Sequence, residues 1–166
     1  MNIRFVKSSD AAQIAEIYNY YIKNTHHTFE TEAVDQTEMR QRIGEITVSY
    51  PYYVAEENGE IVAYAYAAAY KSRCAYRSSA EVSIYARNNI RQKGTGTRLY
   101  EKLLAELRQT DVHAIIAGIA LPNEASIRLH EKFGFEKVAH FREVGFKFGE
   151  WIDVGYWELL VPDKKR

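Results

Sequence analysis

The sequence predicts a mixed α/β sheet with helices packed on its faces, and three observations carry that expectation. Strand-like and helix-like segments run as one strand, two helices, three strands, helix, strand, helix and two strands, neither a regular βαβ alternation nor an all-β pattern. Asn58-Gly59, set between two apolar runs, is the signature of a β-hairpin. Leu99, Leu103, Leu104 and Leu107 recur at helical spacing behind a glycine-containing loop.

Each element has its own warrant. Residues 3–6 are a short apolar run that reads as a strand. Ser8, Ser9 and Asp10 offer N-cap side chains ahead of Ile14, Ile17, Tyr18 and Tyr21, whose spacing is helical. Residues 24–35 are polar around the isolated Phe29 and read as a loop; residues 36–47 form a second helix with Met39 and Ile43 on one side. The hairpin pairs residues 52–56 with 61–68, and Tyr64, Tyr66 and Tyr70 alternate with alanines as one face of a strand does. Residues 79–86 read as another strand, 87–96 as a loop leading into the leucine helix, and 113–119 as a buried strand. Asn123 can cap a helix bearing Ile127, Leu129 and Phe133 that stops at Gly134. Strands near 135–146 and 152–160 follow, joined by a turn at Gly149.

Composition narrows the function. The chain has 166 residues, enough for one domain spanning 1–166, and 46% hydrophobic with 27% charged residues excludes a disordered chain. Twenty-two basic residues balance 22 acidic ones, which argues against nucleic-acid or anionic-membrane binding as the main activity. A lone cysteine, Cys74, allows no internal disulfide, the N-terminus lacks a signal-peptide core, and no uncharged stretch reaches a membrane span; the expectation is a cytoplasmic protein. With no second cysteine and no His-Glu-x-x-His, no metal site is expected; His26 and His27 adjoin in a loop. The charge balance is not even along the chain. Residues 71–98 hold Lys71, Arg73, Arg77, Arg87, Arg91, Lys93 and Arg98 against Glu81 alone, a local attraction for anions.

The segment from Ile84 to Thr97 is the most informative. Gly94-Thr95-Gly96-Thr97 opens the leucine helix, and a helix N-terminus with glycines beside it suits a phosphate, although a plain glycine turn has the same letters. It lacks the spacing and lysine of a nucleotide-triphosphate loop, and Leu99 stands where a dinucleotide fingerprint needs its third glycine.

The pattern Arg91-x-x-Gly94-x-Gly96 between strand and helix resembles the acetyl-CoA pyrophosphate loop of the GNAT superfamily of N-acyltransferases. Thr28-Phe29-Glu30-Thr31-Glu32, Tyr50-Pro51, Val54-Ala55-Glu56, Lys71-x-Arg73-x-Ala75-Tyr76, Ala80-Glu81, Leu121-Pro122-Asn123 and Leu129-His130-Glu131 resemble its phosphinothricin N-acetyltransferase branch. So does Gly145-Phe146-Lys147-Phe148-Gly149-x-Trp151-x-Asp153-Val154, the most specific stretch. The resemblance implies a mainly antiparallel sheet with helices on both faces and acetyl transfer from acetyl-CoA to the amine of a small amino-acid analogue such as phosphinothricin, methionine sulfoximine or methionine sulfone. An acceptor on a protein N-terminus, a lysine or a polyamine stays open on the same fold, as does a non-catalytic CoA-binding module. A homodimer is a further implication.

The chemistry assigns candidates. An amine is largely protonated at pH 7, so transfer needs a proton acceptor, and Glu81 on an otherwise apolar strand is the candidate base; a salt bridge to Arg73 or Arg77 is its bland alternative. The resemblance places CoA along Ile84, Tyr85 and Ala86, its pyrophosphate on Gln92, Lys93, Gly94, Thr95, Gly96 and Thr97, and its arm near Asn123. Tyr100 is the candidate acid for the leaving thiolate, with core packing as its alternative, and the resemblance makes His130, otherwise a structural histidine on an amphipathic helix, a secondary candidate. Lys71 and Arg73 read by themselves as solvated loop charges; the resemblance implies that they hold the oxygens of an anionic substrate, with Phe29 and Tyr76 as apolar walls and the Trp151 segment closing the pocket.

Overall fold

The computed structural model describes residues 1–90 and 93–162. The elements are β1 (Asn2–Phe5), α1 (Ala11–Asn24), α2 (Gln36–Thr47), β2 (Tyr52–Glu57), β3 (Glu60–Ala69), β4 (Ser79–Ala86) and α3 (Thr95–Leu107). They continue with β5 (Ala114–Ala120), α4 (Glu124–Lys132), β6 (Glu136–Lys147) and β7 (Glu150–Leu160). Element order matches the expectation; single 3₁₀ turns at Ser8–Asp10 and Cys74–Tyr76, too short for periodicity to reveal, are additions. Among the described residues no helix is long and apolar enough to cross a membrane.

The strands make one seven-stranded sheet in the order β1-β2-β3-β4-β5-β7-β6, antiparallel throughout except for β4 beside β5. The β2–β3 hairpin turns at Asn58 (φ 52°) and Gly59 (φ 83°), both left-handed, which the right-handed twist of paired strands favours. Asp10 stands before α1 but does not cap it. Its carboxylate accepts from the Arg4 guanidinium at 2.8 and 3.0 Å and from the Lys7 N–H at 2.7 Å, tying β1 to the helix entrance.

Alternation along the strands separates two layers. Tyr52, Val54 and Tyr64 meet Ile14, Ile17, Tyr18 and Ile22 of α1 and Met39 and Ile43 of α2. On the other face Ala63, Ala65, Ala67, Ala80 and Val82 meet the four leucines of α3, small residues letting the helix approach closely.

The parallel contact positions the site. β4 and β5 pair only at Ser79↔Ala114, Ala80↔Ile115 and Glu81↔Ile116. Beyond Glu81 the pairing stops, while β4 stays bonded to β3 as far as Ala86↔Ala63. A strand edge is thus left open at the middle of the sheet.

Candidate active site

Two cavities flank this opening. A groove of about 270 Å³ runs between β4 and β5 and is walled by Val82, Ile84, Tyr85, Ala86, Gly96, Asn123, Ser126 and His130, among others. A pocket of about 280 Å³ adjoins it, lined by His26, His27, Phe29, Glu81, Gly118, Val144, Val154 and Tyr156, with Ala120.

Backbone parity decides which groups β4 offers. The Arg87 N–H donates to Val62 O, and Ser79 O accepts from Tyr70 N–H, so odd-numbered residues turn their peptide groups to β3. Val82, Ile84 and Ala86 therefore aim theirs at the open edge. Tyr85 lines the groove as well, but its N–H faces β3 and its side chain packs against Tyr18, Tyr21 and Tyr64. Val82 adds an edge-facing N–H beside those of Ile84 and Ala86. At Ala86 the edge is met by Tyr21, whose hydroxyl donates to Ala86 O at 2.6 Å.

At the mouth of α3, Gly94 (φ 85°) occupies the cap position that only glycine holds without strain, and its carbonyl accepts from Arg98 N–H. The first-turn amides point out of the helix end, a placement suited to an anion. Gly96 faces the groove; a β-carbon there would stand 3.5 Å from Ile84 Cδ1. Lys93, Gly94, Thr95 and Thr97 surround that helix end without entering the groove wall, and Gln92 lies outside the described residues. Asn123 both lines the groove and caps α4, its Oδ1 accepting from Ser126 N–H at 3.2 Å.

Glu81 projects on the α1/α2 face beside Gly118 and Tyr156. A β-carbon at Gly118 would lie 3.2 Å from the Tyr156 ring and 3.5 Å from Glu81 Oε1, so the glycine opens the pocket floor. Burial pushes the Glu81 carboxyl above the usual carboxylate range, and among the described residues no salt bridge reaches it, from Arg73 or Arg77 included. A carboxylate desolvated in this way is a stronger base than one in water.

Tyr100 is fully buried and does not reach the groove. Its hydroxyl lies 2.7 Å from His130 Nε2, while His130 Nδ1 lies 2.7 Å from the Ser126 carbonyl and 3.4 Å from Ser126 Oγ. A carbonyl only accepts, so Nδ1 carries the proton and Nε2 accepts from Tyr100. Burial lowers the His130 pKa and raises that of Tyr100. Tyr100 thus takes the core position that was its alternative and stands behind His130, while Ser126, linked to the same imidazole, lines the groove.

The pocket wall is assembled across long distances. Phe29 lies flat on Gly145, where any β-carbon would overlap its ring. The buried Lys147 ammonium donates to Thr28 O at 2.7 Å and anchors the loop that carries Phe29; burial lowers its pKa. The Trp151 segment lines the pocket through Val154, with Val144 from the neighbouring strand. Trp151 itself is 64% exposed and packs on Phe146, because the register Phe146↔Trp151 turns both to the outer face. Lys71, Arg73 and Tyr76 belong to neither cavity wall. Lys71 sits 5.0 Å from the Tyr70 ring and 5.5 Å from that of Tyr76, and Arg73 precedes the 3₁₀ turn. Lys71 still acts on the pocket electrostatically, lowering the pKa of Tyr156 while burial and Glu81 raise it. Gly118, Tyr156, Val144, Tyr21 and His27 carried no local sequence signal.

A family model described as an acetyltransferase (GNAT) domain matches residues 3–155. The chain is 37% identical to the L-methionine sulfoximine/L-methionine sulfone acetyltransferase of Salmonella typhimurium, over 98% of this chain and 96% of that one. It is 38% identical to the phosphinothricin N-acetyltransferase of Streptomyces coelicolor, over 90% of each. An acetyltransferase from Salmonella typhimurium, solved with its cofactor acetyl-CoA, superposes with TM-score 0.94 at 34% identity, covering 99% of this chain and 96% of that one.

Proposed function

Because the chain belongs to the GNAT acetyltransferase family and is an acetyl-CoA-dependent N-acetyltransferase, we propose that its acceptor is the α-amine of a small amino-acid analogue of the phosphinothricin, methionine sulfoximine or methionine sulfone type. The observation that carries this is that the two cavities, one shaped for the donor and one for the acceptor, meet at His27, Gly118 and Ala120, with Glu81 in the wall of the second. A pocket of about 280 Å³ walled by Phe29, Val144 and Tyr156 suits a free amino acid better than a peptide.

Acetyl-CoA supplies an activated acyl group, and the groove residues hold it. The α3 N-terminus takes the pyrophosphate, Asn123 contacts the arm, and the open-edge N–H groups of Val82 and Ile84 face the carbonyl oxygen, where they offset developing negative charge. Glu81 takes a proton from the acceptor ammonium and frees its lone pair. Transfer is direct, since the lone cysteine, Cys74, is exposed and lines neither cavity. The sulfur is protonated from Ser126 Oγ, which regains its proton from water in the groove; His130, whose Nδ1–H is held by the Ser126 carbonyl and whose Nε2 accepts from Tyr100, fixes the turn of α4 that presents this hydroxyl.

The cytoplasm suits a chain with one unpaired thiol. A second copy of the chain covers the β6–β7 ribbon in this reading. β6 is an edge strand, and Val138, Phe141, Val144, Phe146, Phe148 and Trp151 are exposed along the ribbon. An antiparallel edge is complementary to itself about a two-fold axis. Light scattering should give twice the chain mass, reduced to one by Phe146→Glu; a wild-type monomer at micromolar concentration overturns the dimer.

Thiol release from acetyl-CoA tests the substrate class. Phosphinothricin, methionine sulfoximine and methionine sulfone should each be compared with a lysine peptide, an alanine-terminated peptide and a polyamine. Turnover confined to the peptides or the polyamine overturns the assignment.

A further inference from the structure

His27 stands where the two cavities meet. Among the described residues, the groove and the pocket share His27, Gly118 and Ala120, and His27 alone of these carries a titratable side chain. The loop holding it is fixed on both sides. Its N–H donates to Thr25 Oγ1 at 3.1 Å, the following carbonyl receives the Lys147 ammonium at 2.7 Å, and its ring lies 6.0 Å from that of Tyr21. The titratable groups facing it are Tyr21 of α1, Glu81 of β4, Lys147 of β6, Tyr156 of β7 and His26 on its own loop. Desolvation, with His26 and Lys147 adding to it, lowers the His27 pKa, so the imidazole is neutral and has a lone pair at pH 7.

The proton count of the reaction asks for such a group. An ammonium and a thioester become an amide, a thiol and one proton, so the acceptor nitrogen sheds two protons in all. The first leaves to Glu81 before the nitrogen lone pair forms the N–C bond. The second must leave as the C–S bond breaks and its electron pair departs with sulfur, which is protonated from the opposite wall by Ser126. Glu81, still holding the first proton, has no capacity for the second.

We propose that His27 takes the second proton from the acceptor nitrogen as the C–S bond breaks and releases it to water through the pocket. This rests on the acceptor assignment above. A nitrogen already bonded to the acyl carbon is more acidic than a free ammonium, so a weakly basic imidazole suffices where Glu81 was needed before.

The experiment compares wild type with His27→Ala and His27→Asn, using acetyl-CoA with L-methionine sulfone, phosphinothricin and methionine sulfoximine between pH 6 and 9. Both variants should lose kcat by about ten-fold or more, with KM for acetyl-CoA unchanged. Added imidazole should restore formation of the N-acetyl product in His27→Ala, where it has room, and not in His27→Asn. Without acetyl-CoA, the His27 ring resonances of the wild-type protein should shift when L-methionine sulfone is added. Wild-type kcat in both variants, a loss that imidazole does not repair, or ring resonances that ignore the amino acid overturns the role of His27. A wild-type protein that acetylates none of the three amino acids overturns the acceptor assignment, and this inference with it.

Discussion

The groove and the pocket meet at one strand, yet they are built differently. The groove offers main chain on one side, the open edge of β4, and α4 side chains such as Asn123, Ser126 and His130 on the other, with Gly96 keeping the α3 end clear. Its geometry follows from where strand pairing stops. The pocket is made of side chains from five segments, with Phe29, Glu81, Gly118, Val144 and Tyr156 each supplied by a different one. Substitutions in the groove should therefore act on donor binding or leave it unaltered, since a main-chain N–H survives most of them. Substitutions in the pocket should act on the acceptor.

The largest effect is expected at Glu81, in the pocket wall. Glu81→Gln should lower kcat by about 10²-fold or more while leaving acetyl-CoA binding intact. A base works ionised, so kcat/KM in the wild type should fall as pH drops through the raised Glu81 pKa, at a higher pH than an ordinary carboxylate would show, and the variant should lose that limb. Stability moves the other way. The folded state holds the Glu81 proton more tightly than the unfolded chain, so the carboxylate costs stability once pH exceeds its unfolded value. Glu81→Gln should raise Tm at pH 8 and leave it little changed at pH 3. Equal Tm values at pH 8 would mean that the carboxylate is solvated.

Gly145→Val comes next and tests the pocket alone. The new β-carbon meets the Phe29 ring, which must leave the wall. KM for the amino acid should rise by about ten-fold, the order of losing one well-packed apolar contact, with KM for acetyl-CoA unchanged. A parallel rise in both constants would show that the cavities share a wall there.

Ser126→Ala acts in the groove and should be smaller. The hydroxyl stands 3.4 Å from His130 Nδ1, and water can stand in for it, so kcat should fall by about three- to ten-fold without a change in either KM. Tyr100→Phe should fall in the same range, and the double variant should lose no more than the larger single one if the three groups form one chain.

The contrast also explains what the sequence could and could not reveal. The groove was legible because strand, glycine loop and helix are contiguous, and because Asn123 sits where a cap belongs. Alternation marked Glu81 as the one acid on a largely apolar strand, and the resemblance made it the candidate base. The direction of each β4 N–H was not, because parity is set by pairing with β3, which turns the Tyr85 N–H away from the groove that Tyr85 lines. The pocket wall depends on register across β5, β7 and β6, so Trp151 turns away from the pocket while Val144 and Val154 of the same ribbon line its rim. His27 sits in a loop without periodicity, and nothing in its letters places it at a junction. Tyr100 was read one layer too close to the chemistry, since a buried hydroxyl behind a histidine has the same helical spacing as one in front.

The smallest effect is expected at Lys71. Its ammonium lies over the Tyr70 and Tyr76 rings, outside both cavity walls, and reaches the pocket only through its field at Tyr156. A solvent-exposed charge acting at that range is worth at most about 1 kcal/mol, so Lys71→Ala should raise KM for the amino acid by no more than about five-fold, with kcat unchanged. That rise should shrink in 0.5 M salt, because screening removes a field effect but spares a direct bond. A loss as large as that of Glu81→Gln, insensitive to salt, would mean that the segment carrying Lys71 and Arg73 folds over the acceptor when it binds. The pocket would then draw on a sixth segment, and the contrast with the main-chain groove would be sharper still.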